Sequence, residues 1–305
     1  MIALLGATGR IGRPVAHLLH ERGLPVRALV RDPATAGLPV PTVAADLRDP
    51  ASLRAALRGC ERLFLLTPHG RDQDLLEAAA IDAAIAVGVA GIVKISGGAA
   101  SLSPNGPTST AVGHWRSEGR IEDSGLEFAH LRPPFLMQNL LEQVAPVARK
   151  TGVVVGPFAD EPIAMVDAED VAACAVALLA APTLGRAGYT ITGPRPVTHR
   201  EIARALNARI VRLPLGVTAA ALRARGETPW AIDHAVRMAA FLRSGAAAAP
   251  TDAVRRLTGR PAVPIEQFLI RHGEAFSRRR SRPVPVPVPA PPSAPARATR
   301  ERFRP

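Results

Sequence analysis

The chain has 305 residues, 47% of them hydrophobic, with 2 cysteines and a formal net charge of +12. That length supports one large or two coupled domains around a sizeable core, and so few cysteines exclude a disulfide scaffold. The longest apolar run, 171–181, is well short of a membrane span, and the N-terminus carries no basic region or cleavage site, so a cytoplasmic protein with no membrane partner is expected.

Residues 2–5 form a short apolar run bounded by glycine, the pattern of a buried parallel strand. A turn containing Gly6, Gly9 and Gly12 follows. Ile11, Val15, Leu18 and Leu19 then recur at helical spacing, with His17, His20, Glu21 and Arg22 on or near the polar face and Gly23 as a stop. A strand, a glycine turn and a helix together suit a pyrophosphate. Glycine allows the tight turn and the close approach of backbone to phosphate, and the helix N-terminus favours negative charge.

The pattern then alternates. Residues 25–30 and 40–45 read as strands, the second ending at Asp46, and Asp49-Pro50 opens a helix with Leu53, Ala56 and Leu57 on one face. Strands at 62–66, 91–95 and 126–131 are separated by helices at 72–87 and 114–124, and a helix at 135–150 closes the unit. Residues 97–113 are rich in Gly, Ser, Pro and Asn and read as a long loop at a strand end, where function is often placed. This is the signature of an α/β Rossmann doubly wound parallel sheet over 1–150.

From 151 the pieces shorten, as expected of a smaller α/β substrate-side domain over 151–277, with strands at 153–155, 163–166 and 189–192. Asp167 fits the N-cap of an apolar helix and Asp170 its first turn. Further helices are expected at 199–207, 217–225, 229–242 and 265–276. Cys60 and Cys174 read as buried thiols. Residues 278–305 hold alternating prolines, eight arginines and one glutamate, so this stretch reads as a disordered, solvated tail carrying most of the excess charge. No DNA-binding motif accompanies it, and nucleic acid is not an expected partner.

The stretch Gly6-Ala7-Thr8-Gly9-Arg10-Ile11-Gly12 has the spacing Gly-x-x-Gly-x-x-Gly. With Val26-Arg27-Ala28-Leu29-Val30-Arg31-Asp32-Pro33, Ala45-Asp46-Leu47, Val93-Lys94-Ile95-Ser96 and Leu131-Arg132-Pro133, it resembles the atypical short-chain dehydrogenase/reductases. Within these it is similar to the NmrA-like NAD(P)-binding proteins, including quinone-reductase-like members, over roughly 1–276. The resemblance implies that Gly6, Thr8, Gly9, Arg10, Ile11 and Gly12 hold the cofactor. Asp46 and Leu47 lie where relatives contact adenine, although a turn-forming aspartate is an equal reading of Asp46. Thr67 and Pro68 fall over the cofactor crevice.

The end of the second strand sorts NAD from NADP. An acid there binds the ribose hydroxyls, whereas arginine accommodates the extra phosphate. Val30 occupies the acid's position, and Arg31 and Arg10 are placed to converge on a 2′-phosphate, so NADP(H) is preferred over NAD(H). A small shift of register would revive the NAD reading through Asp32.

Typical short-chain reductases use a Tyr-x-x-x-Lys pair as proton donor. The single tyrosine here, Tyr189, lies in a strand-like stretch, and the corresponding helix reads His114-Trp115-Arg116-Ser117-Glu118, with His114 in the tyrosine's place and Glu118 in the lysine's. Ser96 resembles the position of the reductase serine, and Ser96 and His114 are the catalytic candidates. Phe135, Met137 and Asn139 are the substrate-pocket candidates, with core packing an equal reading of the first two. His17 and His20 have no companion ligands, and no metal is expected.

These residues imply an NAD(P)H-dependent oxidoreductase acting on a quinone-like or aromatic carbonyl small molecule, whose reduced anion needs little acid catalysis. The alternative is a catalytically silent NADP(H)-sensing regulator acting through a protein partner, which the missing tyrosine favours.

Overall fold

A computed structural model describes residues 1–277; the proline-rich tail expected at 278–305 lies outside the described residues. The strands β1 (Ile2–Leu5), β2 (Val26–Val30), β3 (Thr42–Ala44), β4 (Arg62–Leu65), β5 (Gly91–Ile95) and β6 (Glu127–Arg132) alternate with helices except between β2 and β3, which a single 3-10 turn at Pro33–Thr35 connects. After them β7 (Val153–Gly156) leaves the sheet, β8 (Ala187–Thr190) returns to the β6 edge, and β9 (Arg209–Arg212) pairs with β7 in a separate parallel ribbon. The main sheet is parallel, with order β3-β2-β1-β4-β5-β6-β8.

The helices are α1 (Gly12–Glu21), α2 (Pro50–Leu57), α3 (Gln73–Ala86), α4 (Ser109–Asp123), α5 (Asn139–Gln143), α6 (Ala145–Thr151), α7 (Ala168–Ala180), α8 (His199–Ala205), α9 (Leu215–Ala224), α10 (Pro229–Arg243), α11 (Ala253–Thr258), α12 (Ile265–Arg271) and α13 (Gly273–Phe276). No helix among the described residues is long and apolar enough to cross a membrane.

Alternation along each strand sends side chains to two faces. On one face Ile2, Leu4, Phe64, Val93 and Ile95 pack with Val15 and Leu19 of α1 and with Val171 and Ala175 of α7. On the other, Ala3, Leu5, Leu63, Leu65 and Ile92 meet Leu53 and Leu57 of α2, Ile81 of α3 and Ile121 of α4. A third core outside the sheet gathers Leu140, Val144, Val154, Ile202, Leu242 and Phe268.

The second half departs from the sequence reading in several places. The strand expected at 189–192 is β8, and it belongs to the main sheet because α7, apolar on nearly every side, lies against α1 and carries the chain back to the sheet edge. Residues after 151 therefore serve both the sheet and the outer core. Residues 163–166 make only isolated bridges, Ile163 with Val197 and Leu136 with Val166. The helix expected at 135–150 is two short helices, with Pro146 in the first turn of the second, where a missing N–H costs nothing. The helix containing His114 begins earlier, at Ser109, because Thr108 caps it by accepting from the Ala111 N–H at 3.2 Å. Asp167 caps α7 as expected, accepting from the Glu169 N–H at 3.0 Å. Cys60 and Cys174 are buried free thiols.

Candidate functional site

At the carboxyl end of β1, Gly6 has φ +74°, and a Cβ there would collide with the Leu66 carbonyl oxygen at the end of β4. A Cβ on Gly12 would collide with the Gly6 carbonyl oxygen, and that same oxygen accepts from the Gly9 N–H at 3.0 Å. The turn is thus closed on itself and seated against β4, as a strand-to-helix junction of this tightness requires. The helix that follows has no capping side chain and no acid in its first turn. In its first turn the Arg13 N–H donates to the Gly9 carbonyl at 2.9 Å and Pro14 has no N–H, which leaves the Gly12 N–H for another acceptor, and the residues present fit a dinucleotide pyrophosphate.

Val30 ends β2 and is buried; Arg31 is exposed and makes no hydrogen bond or ion pair among the described residues. Asp32 is committed to the next turn: its carboxylate accepts from the Ala34 N–H and the Thr35 hydroxyl, each at 3.0 Å. Arg10 does not converge on Arg31. Its guanidinium crosses to α5, donating to Asn139 Oδ1 at 3.3 Å and pairing with Glu142, because those are the acceptors facing the glycine turn. Asp46 is exposed and accepts from the Arg48 N–H at 2.9 Å, a turn-forming contact, while Leu47 packs at the edge of the α2-side core.

The crevice side of β4 and β5 holds an ionic cluster that the sequence reading missed. Lys94 on β5 and Glu77 on α3 are 0% and 1% exposed and meet at 2.9 Å. Lys94 Nζ also donates to the Ile95 carbonyl at 3.1 Å and to His114 Nδ1 at 2.9 Å, so all three of its protons have acceptors. Thr67, buried rather than open to the crevice, donates to Glu77 Oε1 at 3.2 Å, while Pro68 beside it is exposed. Gln73 lies 2.9 Å from His114 Nε2. Since an ammonium can only donate, its contact makes Nδ1 an acceptor and puts the neutral imidazole's proton on Nε2.

Burial and the Lys94 charge lower the His114 pKa, against the pull of Glu77, so the ring is neutral near pH 7. Burial pushes the Glu77 pKa up, but the Lys94 charge, with its polar neighbours, outweighs it and holds the carboxyl well below the usual carboxylate range. Nδ1 of His114 is therefore occupied by Lys94, while its Nε2–H faces the Gln73 amide nitrogen, itself a donor. Glu118 does not stand beside His114 as the lysine's replacement. It is turned to β6, where Arg132 donates to its two oxygens at 3.0 and 2.6 Å, and the cation next to His114 comes from β5 instead. The signal was in the sequence: one of only two lysines in the chain sits inside an apolar strand run.

Ser96, just past β5, is 5% exposed, and its Oγ is buried without a hydrogen-bond partner. Such a hydroxyl is costly unless something completes it. Met137 is 1% exposed within the outer core, so it is a packing residue and not a pocket wall, because its N–H and the Leu136 bridge tie it to Val166. Phe135 is half-buried and meets Phe158 edge-on at 6.5 Å; Asn139 is half-buried, facing Arg10. Tyr189 lies on β8 at the sheet edge.

Glu118, Glu122 and His130 bring possible metal-ligand atoms within 4.8 Å of one another, but both oxygens of Glu118 are held by Arg132. His17 and His20 are not in such a group among the described residues. A second grouping missed from sequence is aromatic: His69 after β4 meets Trp230 and His234 of α10, with ring centroids 5.4 and 4.5 Å away.

The model of the NmrA-like family matches residues 1–213. The chain is 36% identical over 289 residues to an NAD(P)H azoreductase of Xenophilus azovorans, covering 90% of this chain and 99% of the relative. It is also 36% identical over 285 residues to a (4-alkanoyl-5-oxo-2,5-dihydrofuran-3-yl)methyl phosphate reductase of Streptomyces griseus, covering 91% and 99%. Among solved structures, an NADPH-dependent quinone oxidoreductase of Escherichia coli in complex with NADPH superposes with a TM-score of 0.81 at 27% identity, covering 90% of this chain and 100% of that one.

Proposed function

The chain belongs to the NmrA-like family, and on that premise we propose that it is an NADPH-dependent oxidoreductase reducing quinone-like or aromatic carbonyl small molecules in the crevice at the carboxyl ends of β1, β4 and β5. The observation that carries this reading is the glycine-built, uncapped start of α1, which opens onto the same end of the sheet as Ser96 and His114.

Backbone N–H groups of Arg10, Ile11 and Gly12 would hold the pyrophosphate, with Gly6, Gly9 and Gly12 giving the close approach. Bound NADPH would supply hydride chemistry from its nicotinamide. Arg31 favours the 2′-phosphate: it is unpaired among the described residues, Val30 offers no carboxylate, and Asp32 already serves as a cap. Leu47 and Pro68 would border the adenine and central parts of the bound cofactor, with Thr67 buried behind them against Glu77. Ser96, whose buried hydroxyl neighbours Glu118, would orient the acceptor oxygen, and Phe135 and Asn139 would border the acceptor from the α5 side. His114 fixes the local polarity as a neutral ring held by Lys94. A quinone-like acceptor suits such a site because its reduced anion is delocalised and asks little of a general acid.

The test is NADPH consumption across a panel of quinones, azo compounds and aryl ketones. Consumption with at least one planar class is expected. Tight NADPH binding with no consumption would overturn the enzyme reading in favour of the redox sensor, a reading that the missing tyrosine of the Tyr-x-x-x-Lys pair supports.

A further inference from the structure

The described chain is poor in aromatic side chains, with 8 Phe, 2 Trp and 1 Tyr in the whole sequence. Three rings nevertheless gather beyond the carboxyl end of β4. Trp230 and His234, one turn apart on α10, stack with centroids at 5.5 Å and an interplanar angle of 20°, and His69 stands edge-on to His234 at 4.5 Å. Trp230 belongs to none of the three hydrophobic cores, Trp230 and His234 are half-buried, and His69 is exposed. A ring recruited only for packing would be expected inside a core.

Their polar edges are tied to the start of α4. Trp230 Nε1–H donates to Ser109 Oγ at 3.2 Å, and His234 Nδ1 lies 3.2 Å from Thr110 Oγ1. Thr110 is one helical turn before His114 on the same face of α4, and Gln73, which touches His114, also lies beside His69. The aromatic group is therefore contiguous with the candidate acceptor site. Loss of solvent among the packed rings lowers both imidazole pKa values, that of His234 to about 4, so the group presents uncharged rings near pH 7.

We propose that His69, Trp230 and His234 form a stacking subsite for the planar aromatic part of the acceptor, supplied by α10 to the crevice. The proposal rests on the reductase reading for the identity of the acceptor, but ring binding at Trp230 can be measured without turnover. An aromatic stack of this kind is worth roughly 0.5–1.5 kcal/mol, which is about a two- to ten-fold effect on affinity.

The experiment uses the full chain carrying Trp115→Phe, so that Trp230 is the sole tryptophan, with NADP+ present and anthraquinone-2-sulfonate as the planar, unreacting probe. Saturable quenching of Trp230 fluorescence is expected. Calorimetry on Trp230→Ala and, as a variant in an exposed loop, His69→Ala should show the probe's affinity falling up to about ten-fold, with Trp230→Phe within two-fold of the parent. In steady state the same variants should raise KM for a naphthoquinone and leave the KM for NADPH unchanged. Absence of saturable quenching, or unchanged probe affinity in both alanine variants, would overturn the subsite even if NADPH were consumed. Saturable, variant-sensitive binding without NADPH consumption would uphold the subsite and overturn the reductase reading.

Discussion

The two faces of the central sheet are built on opposite terms. Towards α1 and α7, the inward side chains of β4, β5 and β6 near the crevice are Phe64, Val93, Ile95, Ala129 and Leu131, with Arg62 at the far end of β4 tied to the Leu178 and Leu179 carbonyls of α7. Towards α3 and α4, the same strands present Leu63, Leu65 and Ile92 and then, nearer the crevice, Lys94, His130 and Arg132, facing Glu77, Glu118 and Glu122. Lys94 and His130 are register neighbours across β5 and β6. A parallel strand covered on both sides should be apolar throughout, so a fully buried lysine within β5, paired with a buried glutamate on α3, marks where stability has been traded for a polar site.

The sharpest way to break this contrast is Lys94→Met. It strands Glu77 as an uncompensated buried carboxylate and should cost about 3–5 kcal/mol in urea unfolding, whereas Lys94→Met with Glu77→Leu should recover most of the loss. Recovery in the double variant separates the pair's net worth from the penalty of breaking it. An equal loss in both would mean that the face depends on the charges themselves.

Acid should expose the same asymmetry. Burial pushes His130 down to about 4 and His199 likewise, against about 6.5 when unfolded. In each case the folded pKa is depressed, so the stabilisation is complete above pH 6.5 and is lost as pH falls towards 4, up to about 3 kcal/mol per group. Glu77, also depressed, adds its loss below about pH 4. His130→Leu should flatten the slope of stability between pH 6.5 and 4, and an unchanged slope would remove His130 from the explanation.

On the cofactor side, Gly12→Ala should weaken NADPH binding by about 10–100-fold, the strain of forcing a Cβ against the Gly6 carbonyl. Arg31→Ala should weaken NADPH by about ten-fold and leave NADH unchanged in a titration. The smallest effect is expected from Asp32→Ala: about 1 kcal/mol of stability through the lost cap, with the NADPH to NADH ratio unaltered. A changed ratio would return Asp32 to the ribose.

How far the sequence reveals this molecule depends on whether a feature is local. The β1 turn and α1 are legible because their constraint is steric and contained within seven residues, Gly6 to Gly12. The ionic cluster is not, since Glu77, Lys94 and His114 come from three elements and only the strand pairing and the seating of α3 and α4 bring them together. Pairing His114 with Glu118 by their spacing of four failed for the same reason: Arg132, across on β6, claims Glu118. The break between α5 and α6 was marked by Pro146, while the return of β8 to the sheet follows from tertiary packing of α7. His69, Trp230 and His234 left no sequence signal at all, because their proximity exists only after α10 docks on α4.

The central claim is that the crevice between the glycine turn and the charged face brings NADPH and a planar acceptor together for reduction. Rapid anaerobic mixing of the NADPH-loaded protein with excess menadione tests it directly. A single-phase loss of nicotinamide absorbance is predicted, with a rate that saturates with menadione and slows when the transferred hydrogen is deuterium. Unchanged absorbance, with NADPH still bound at the end of the reaction, would contradict it.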